Sequence, residues 1–464
     1  VTRRFALALD QGGSFLDIIA APLHDAAEPA RIAKRPRGED IAEALLAFLA
    51  RHAIAPAEVA SIRIATTLPA NALLTGEASP VALITTAGFT DLPDLGRQSR
   101  RDPDDPDPPP PTPPWLSPPA WRFGLPGRIA ADGSEAEPLD DAALARIAAS
   151  LPPAAPVAVC LLFAHRNPSH ELRVLAALPH ATLSHRVDPA PREFERMLTT
   201  LAAASLKPLV AGTLGAVARR LADAGLPCPS FGVADGGQVD GAAALAAPLG
   251  LALSGPAAGA RAVARCAGDA PFAIGLDMGG TTAEVSLVRD GAPLAARELR
   301  VGPMTLRCPA LDVESVALGG DRALPGGGPT LAEAARGVGW LPGDGVASPD
   351  TLAVAEALLA EALRRIALRR NIHPDLSLLV AGGGFGPLFA AGVAERIGCP
   401  RVLVPPAPGV MSASGLLDAA PRLAAPWRPR GDGLLDDGTA TLRVPPGWCA
   451  TPREDGALLL ARAA

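Results

Sequence analysis

Tyrosine is absent from this 464-residue chain, aromatic residues together make up 3% of it, and lysine occurs only at Lys34 and Lys207. With so little lysine, the charge of any bound phosphate must be met by a metal ion, backbone dipoles or arginine. The net charge is −6 with both signs scattered, and no basic stripe or tail is present, which argues against a nucleic-acid partner. The six cysteines (Cys160, Cys228, Cys266, Cys308, Cys399 and Cys449) are dispersed, without a C-x-x-C pair or zinc-type Cys/His spacing. That favours a reducing compartment over a disulfide framework. No uninterrupted apolar run reaches about 18 residues, so no membrane span is expected. The N-terminal FALAL is too short for a signal-peptide core and runs into a glycine turn. These absences together lead to the expectation of a soluble, cytoplasmic protein.

What is present is enough apolar material, 48% of the residues, for two hydrophobic cores, and two domains are the default at this length. An internal similarity organises them. Residues 5–20 read FALALDQGGSFLDIIA, and residues 272–288 read FAIGLDMGGTTAEVSLV. Both are an apolar strand, a Gly-Gly turn and a second apolar strand. The equivalent pairs are Asp10/Asp277, Gly12/Gly279, Gly13/Gly280, Ser14/Thr281 and Asp17/Glu284. Each copy runs on toward a third strand, IAKRPR near residue 32 and LAARELRV near residue 294, which predicts a β-meander in each lobe.

Between the copies, VASIRIAT, PVALITT, VAVCLLF and ATLSHRV read as strands. IAEALLAFLARHA reads as an amphipathic helix, another helix begins at Asn167-Pro168, and a longer one covers about 192–222. Residues 103–119 are proline-rich and predict an extended surface excursion, since proline lacks the N–H and fixes φ. LSLLVAGGGFGPLFAAGVAERIGCPRVLVPP reads as strand, glycine turn, helix, strand. Beyond about residue 425 only a short strand-containing tail is expected.

An Asp that closes a buried strand before Gly-Gly has a defined chemistry open to it. Glycine lets backbone N–H groups approach a phosphate, the next hydroxyl adds a donor, and the carboxylate can hold Mg2+ through water. Asp10 and Asp277 are thus the candidate catalytic and metal-binding residues. Gly12, Gly13, Ser14, Gly279, Gly280, Thr281 and Thr282 are candidate phosphate ligands. No G-x-x-x-x-G-K-[ST] loop occurs. A third cluster, Gly382, Gly383 and Gly384, precedes a helix whose N-terminus favours an anion or nucleotide.

This set resembles the superfamily of actin, the sugar kinases and the heat-shock ATPases. The resemblance implies an α/β fold of two ribonuclease H-like lobes around a nucleotide cleft, with ATP and Mg2+ as cofactors and an adenosine-type turn at Gly382–Gly384. More narrowly, the chain resembles the hydantoinase A / 5-oxoprolinase family, which includes N-methylhydantoinase and an acetone carboxylase subunit. ALITTAGFTDLPDLGRQSR (82–100), VCLLFAHRNPSHELRV (159–174), REFERMLTTLAAASLKPL (192–209), LSGPAAGARA (253–262), LDMGGTTAEVSLV (276–288) and VLVPPAPGVMSASGLL (402–417) follow in family order. The resemblance divides the chain into an N-terminal region at 1–190, a core at 191–425 and a tail at 426–464. It implies that ATP phosphorylates the carbonyl oxygen of a small cyclic amide or related substrate before ring opening, often with a hydantoinase B-type subunit as partner. A homo-oligomer is left open.

The chain departs from the family pattern in places. Hairpins usually written D-x-G-G-T-x-T-D carry Leu16 and Ala283 at the second hydroxyl position. H-G-T-T-x-A-T-N-A becomes IATTLPANA (64–72), with Ile64 for His, and D-x-H-T-x-G-A-G-G-G-S becomes DVESVALGGDR (312–322), with Glu314 for His. Asp312 with Glu314 is either a metal-binding carboxylate pair or part of a solvated loop. The arginines of ALRRIALRR (362–370) read as a solvated face, and His165 and His170 as partly exposed flanks of a helix start. The departures motivate an alternative, a nucleotide-binding paralogue with a regulatory or scaffolding role; a sugar-kinase-like phosphotransferase is a third reading.

Overall fold

A computed structural model of the chain describes residues 3–25, 28–98, 110–423 and 426–463. Strands Phe5–Gln11 and Phe15–Pro22 pair antiparallel, and Arg31–Pro36 completes the meander. The chain returns through helix Ile41–Arg51 to strand Val59–Thr66, which lies parallel to the first, and Ser230–Gly232 adds beyond it. Helix 41–51 starts where the Asp40 carboxylate accepts the Glu43 N–H at 3.0 Å, satisfying a donor that has no intrahelical partner. Its buried Leu45, Phe48 and Leu49 close one face of the sheet.

The second half repeats this order. Phe272–Met278 and Ala283–Arg289 form the hairpin, Leu378–Gly382 lies parallel to the first strand, and Arg401–Val404 follows it. Both lobes therefore run third–second–first–fourth–fifth, and their glycine turns occupy equivalent places. The expected two-lobed α/β architecture is present.

Several local expectations are corrected. The third strand of the second meander is split: Ala292–Pro293 pairs with one end of Ala283–Arg289, and Val313–Val316 pairs with the end near the turn. Pro293 cannot donate to a ladder. The intervening Leu299, Val301, Met304, Leu306 and Ala310 instead enter a core with first-half residues such as Leu83, Cys160 and Leu201. In ATLSHRV only Thr182–Leu183 is strand; Ser184–Val187 is helical, because Ser184 Oγ and the His185 N–H both turn to the buried Glu171 carboxylate. Of the proline-rich excursion, 103–109 lies outside the described residues. The part from 110 to 119 is no surface spacer, since Thr112, Leu116 and Ser117 are buried.

Strands Ala82–Thr86, Arg122–Leu125, Val157–Cys160 and Thr182–Leu183 form a separate parallel sheet inserted in the first half. Helix Glu193–Asp223 joins it to the first lobe: Leu198 and Leu201 pack in the insert, Val210, Leu214 and Leu221 in the lobe. By length and composition this helix could cross a membrane, its most apolar 18-residue stretch having a mean hydropathy of 1.5, although no unbroken apolar run had pointed to one. Its polar Glu195, Arg196, Thr199 and Thr200 are buried, and Thr199 and Thr200 bond backbone carbonyls one turn earlier. All six cysteines are free.

The residues beyond 425 join the main structure. Trp448–Pro452 and Leu458–Arg462 extend the second sheet next to Arg401–Val404, and Trp448, Leu458 and Leu460 lie in its core. Leu460 is fully buried. Leu460→Ala is expected to cost about 2–5 kcal/mol. Thermal unfolding followed by circular dichroism checks this: an unchanged midpoint would mean that the last strand adds nothing to the second lobe.

Candidate functional site

The duplicated hairpins are equivalent atom for atom at their turns. Asp10 faces Asp17 across one hairpin, and Asp277 faces Glu284 across the other. The Gly12 N–H donates to Phe15 O at 2.9 Å, and the Gly279 N–H donates to Thr282 O at 3.0 Å. Each tip also meets the other. A methyl group on Gly13 would lie 2.1 Å from Thr281 Oγ1, and one on Gly280 would lie 2.4 Å from Ser14 Oγ. Each hydroxyl residue thus packs on the second glycine of the opposite hairpin, and a side chain at either glycine would force its neighbour to move.

Below the tips, helix Ser254–Ala267 packs against strands of both lobes. Gly255 backs Asp10, where a Cβ would be 2.7 Å from Oδ1, and Gly259 backs Asp277, where it would be 3.2 Å from Oδ2. Residues four apart share a helix face about 6 Å apart. The two aspartates therefore lie side by side along one helix, contributed by different lobes.

Ser254 Oγ accepts the Thr66 N–H at 3.0 Å and ties the helix start to the first lobe. Thr66 Oγ1 reaches Gln11 Oε1 at 2.7 Å, Thr67 Oγ1 donates to Gln11 O at 3.1 Å, and Asn71 Nδ2 donates to Thr67 Oγ1 at 3.2 Å. IATTLPANA is thus a brace under the first hairpin. Ile64 is fully buried in the lobe core.

The third glycine cluster adjoins the second aspartate. Asp277 pairs in register with Gly382, and Gly383 has φ +76°. A Cβ on Gly383 would meet Asp277 Oδ1 at 2.6 Å and Met278 O at 2.3 Å, so the turn demands glycine on two counts. Gly384 carries no such crowding; its nearest neighbour is Thr439 O at 3.9 Å.

Burial dominates the electrostatics. It pushes Asp10 well above the ordinary carboxylate range, and the charges of Asp17, Asp277 and Glu284 add to the effect against a partial offset from Lys34. Burial raises Asp277, opposed by a 2.6 Å hydrogen bond from Ser412 Oγ and by Lys34. Asp17 is pushed up to about 6 by burial despite a 2.7 Å ion pair with Lys34 Nζ. Glu284 is pushed up to about 7 by burial and by Asp277, with Thr282 Oγ1 donating to it at 2.6 Å. Asp10 Oδ1 is buried and has no hydrogen-bond partner. Four acids crowded together with one acceptor left bare make a site that calls for a cation or a proton. Among the described residues no three His, Cys, Asp or Glu side chains are arranged to hold an ion by themselves. The bare Asp10 Oδ1 beside Asp277 is an oxygen donor set of the kind that a hard cation such as Mg2+ accepts, with water and phosphate oxygens completing its sphere.

Sequence reasoning missed Lys34, Ser412, Gly255 and Gly259. Lys34 pairs in register with Asp17, to which it donates, and also bonds Gly409 O. The strand register could have found it, because an edge strand alternates faces and position 34 falls opposite an acid. Arg37 reaches the first tip, with Nη1 donating to Gly13 O at 3.0 Å.

Other candidates fall elsewhere. Leu16 and Ala283 point into the two lobe cores, so the hydroxyls missing there are missing from the face turned away from the acids. Glu314 accepts from Arg365 at 2.7 Å and Arg369 at 2.8 Å, and Asp312 accepts from Arg370 at 2.5 Å. These acids are neither a metal pair nor a solvated loop; they bind the arginines expected on a solvated face. His170 is buried against Glu135 at 2.6 Å, so it is no exposed flank, and His165 Nδ1 lies 2.6 Å from the buried Arg196.

Comparison with known proteins agrees with this architecture. Residues 6–180 fit the hydantoinase/oxoprolinase N-terminal region, and residues 196–330 and 346–425 fit the hydantoinase/oxoprolinase model. The caprolactamase alpha subunit of Pseudomonas jessenii is 27% identical over 485 aligned residues, which span 87% of this chain and 68% of that subunit. The 5-oxoprolinase of Saccharomyces cerevisiae is 31% identical over 178 residues, but these span 36% of this chain and 14% of that enzyme. The fold is shared with the ATP-dependent caprolactamase of Pseudomonas jessenii (TM-score 0.73, 24% identity) and with nucleotide-free acetone carboxylase (TM-score 0.73, 19% identity). Each likeness covers 89% of this chain and 70% of the other. With both family regions present in order and the duplicated hairpins in register, the chain belongs to the hydantoinase/oxoprolinase family.

Proposed function

We propose that this chain is an ATP-using enzyme, or the ATP-using subunit of one, that activates the carbonyl of a small cyclic amide by phosphorylation before the ring opens. The observation that carries the reading is the pair Asp10 and Asp277, whose strands set them against Gly255 and Gly259 of helix 254–267 at the base of the two hairpin turns. A lactam carbonyl is a poor electrophile, because amide resonance stabilises it. Transfer of the terminal phosphoryl group to the carbonyl oxygen, with ADP leaving, creates a good leaving group at that carbon. Water then adds to that carbon, the tetrahedral adduct expels the ring nitrogen as a protonated amine with the C–N bond breaking, and the acyl phosphate that remains is hydrolysed to carboxylate and phosphate.

In this scheme the Gly12, Gly13, Gly279 and Gly280 region offers backbone N–H groups to phosphate oxygens once the tips part, and Ser14 and Thr281 add hydroxyl donors. Thr282 keeps its hydroxyl on Glu284. The Gly382–Gly384 turn leads into helix Gly386–Ile397, where the nucleoside end would lie. Bound Mg2+ would supply charge neutralisation for the phosphates, held by Asp10 and Asp277 through water. Asp10 is the better placed of the two, since its bare Oδ1 gains a partner and Asp277 already has Ser412. A hydantoinase B-type subunit suits the ring-opening half of the reaction, and the free cysteines suit the reducing cytoplasm.

The test is ATP hydrolysis measured with and without a panel of lactams, hydantoins and 5-oxoproline, with a B-type subunit added in parallel. Asp10→Asn and Asp277→Asn are each expected to lower substrate-stimulated turnover by roughly 100-fold or more, the scale of losing a transition-state electrostatic contact. Turnover that both variants retain would remove the site.

The raised acids give a second expectation. A group whose folded pKa is raised stabilises the fold below its unfolded value, and that contribution disappears as pH rises through the folded value. For Glu284, ordinarily near 4.5 and here about 7, the window runs from about pH 4.5 to 7. Glu284→Gln should therefore gain on the order of 2–3 kcal/mol over the parent at pH 8 and nothing comparable at pH 4.5, in the absence of nucleotide. Unfolding midpoints of the two proteins across that range decide it; parallel pH profiles would mean that Glu284 titrates normally.

A further inference from the structure

The loop Leu318–Arg322 lies across the tip of the second hairpin. Its Gly320 N–H donates to Gly279 O at 3.0 Å, and its Asp321 N–H donates to Gly280 O at 2.7 Å. The two residues before Asp321 must be small: a Cβ on Gly319 would lie 2.4 Å from Gly280 O, and one on Gly320 would lie 2.1 Å from the Phe385 ring. Asp321 is the first residue of the loop tip whose side chain can emerge, and it emerges between the lobes. Ser14 Oγ of the first hairpin donates to Asp321 Oδ2 at 3.1 Å. The same oxygen would be 2.1 Å from a Cβ on Gly280 of the second hairpin. One carboxylate oxygen therefore touches both tips at once.

Asp321 is exposed, and no ion pair at all involves it among the described residues. What it does have is the hydroxyl, and close by the glycine backbone, that a phosphate oxygen would use. A carboxylate and a phosphate oxygen present the same chemistry to those groups, an anionic acceptor for O–H and N–H donors.

We propose that Asp321 is an internal stand-in for the terminal phosphate: it closes the hairpin tips against each other, and a nucleoside triphosphate must displace it to bind. This rests on the reading of the cleft as a nucleotide site and adds a regulatory contact to it. The prize for displacement is specific to a ligand with a phosphate between the tips. A triphosphate competes with Asp321, and a diphosphate competes less.

Two measurements on the full chain separate the possibilities, using Asp321→Gly and Asp321→Asn. The first is calorimetric titration with Mg2+ and either a non-hydrolysable ATP analogue or ADP. Removal of one charge-assisted contact that binding must break is expected to tighten the analogue by on the order of tenfold, with a smaller change for ADP. The second is hydrogen exchange of the nucleotide-free protein, where the amides of Gly12, Gly13 and Ser14 should exchange faster in both variants. Unchanged exchange overturns the latch whatever nucleotide does. Faster exchange with unchanged affinity overturns the competition, and weaker analogue binding overturns it too, by making Asp321 a helper of the bound cation. If neither parent nor variant binds nucleotide while exchange still rises, the latch stands and the nucleotide reading of the cleft falls.

Discussion

The structure depends on one close approach: two buried carboxylates laid against a single helix that has no side chain where they touch it. Gly255 and Gly259 leave Asp10 and Asp277 the space that a methyl group would take, at 2.7 and 3.2 Å. A side chain at Gly255 would force the Asp10 carboxylate to move, and one at Gly259 would crowd Asp277 and Ser412. The approach is expensive, because a buried carboxylate loses its hydration and each neighbouring acid raises the cost. The chain offsets part of it with Lys34 on Asp17, Ser412 on Asp277, and Thr282 on Glu284.

The offset is unequal, and the inequality has meaning. Duplication supplies two matching hairpins, yet the partners differ between them. Only the first carries a lysine, and only the second has a serine on its leading aspartate. Asp10 is left with the largest burden of like charge and with an acceptor oxygen that bonds nothing. Strain of this kind persists at sites where a ligand relieves it. A cation near Asp10 would lower all four carboxylate affinities for protons together, so binding and the ionisation of the cluster are one linked equilibrium.

Much of this was legible in the sequence, for physical reasons. Alternating apolar strands ending in Asp-x-Gly-Gly leave few other conformations, and two copies in equivalent frames fix the lobes. Phe5–Gln11, Val59–Thr66 and the helix ending at Asp223 fall where local pattern puts them. What sequence could not give is contact between distant segments. Ser412 lies 135 residues from the Asp277 it bonds, and Gly259 reads as an ordinary small residue in an alanine-rich helix. The split third strand was missed because the pairing of Val313–Val316 is set by the tertiary path of 295–311 and not by local preference. The final strands were underrated because a short, proline-flanked segment has weak periodicity until a neighbouring edge is there to receive it.

The departures from the family pattern divide into two physical kinds. Ile64 replaces an imidazole with a side chain that is fully buried among Leu7, Leu9 and Phe231, so that position now serves packing. Glu314 replaces another with a charge of opposite sign, and helix Pro349–Arg369 answers with Arg365 and Arg369 on its two oxygens. With both oxygens engaged by guanidinium groups, this position has become a clamp between strand and helix. Neither change touches the helix-backed aspartates. The polar groups that remain free to meet a ligand are those between the hairpin tips and around Asp10, and it is there that the chemistry of this chain has to be sought.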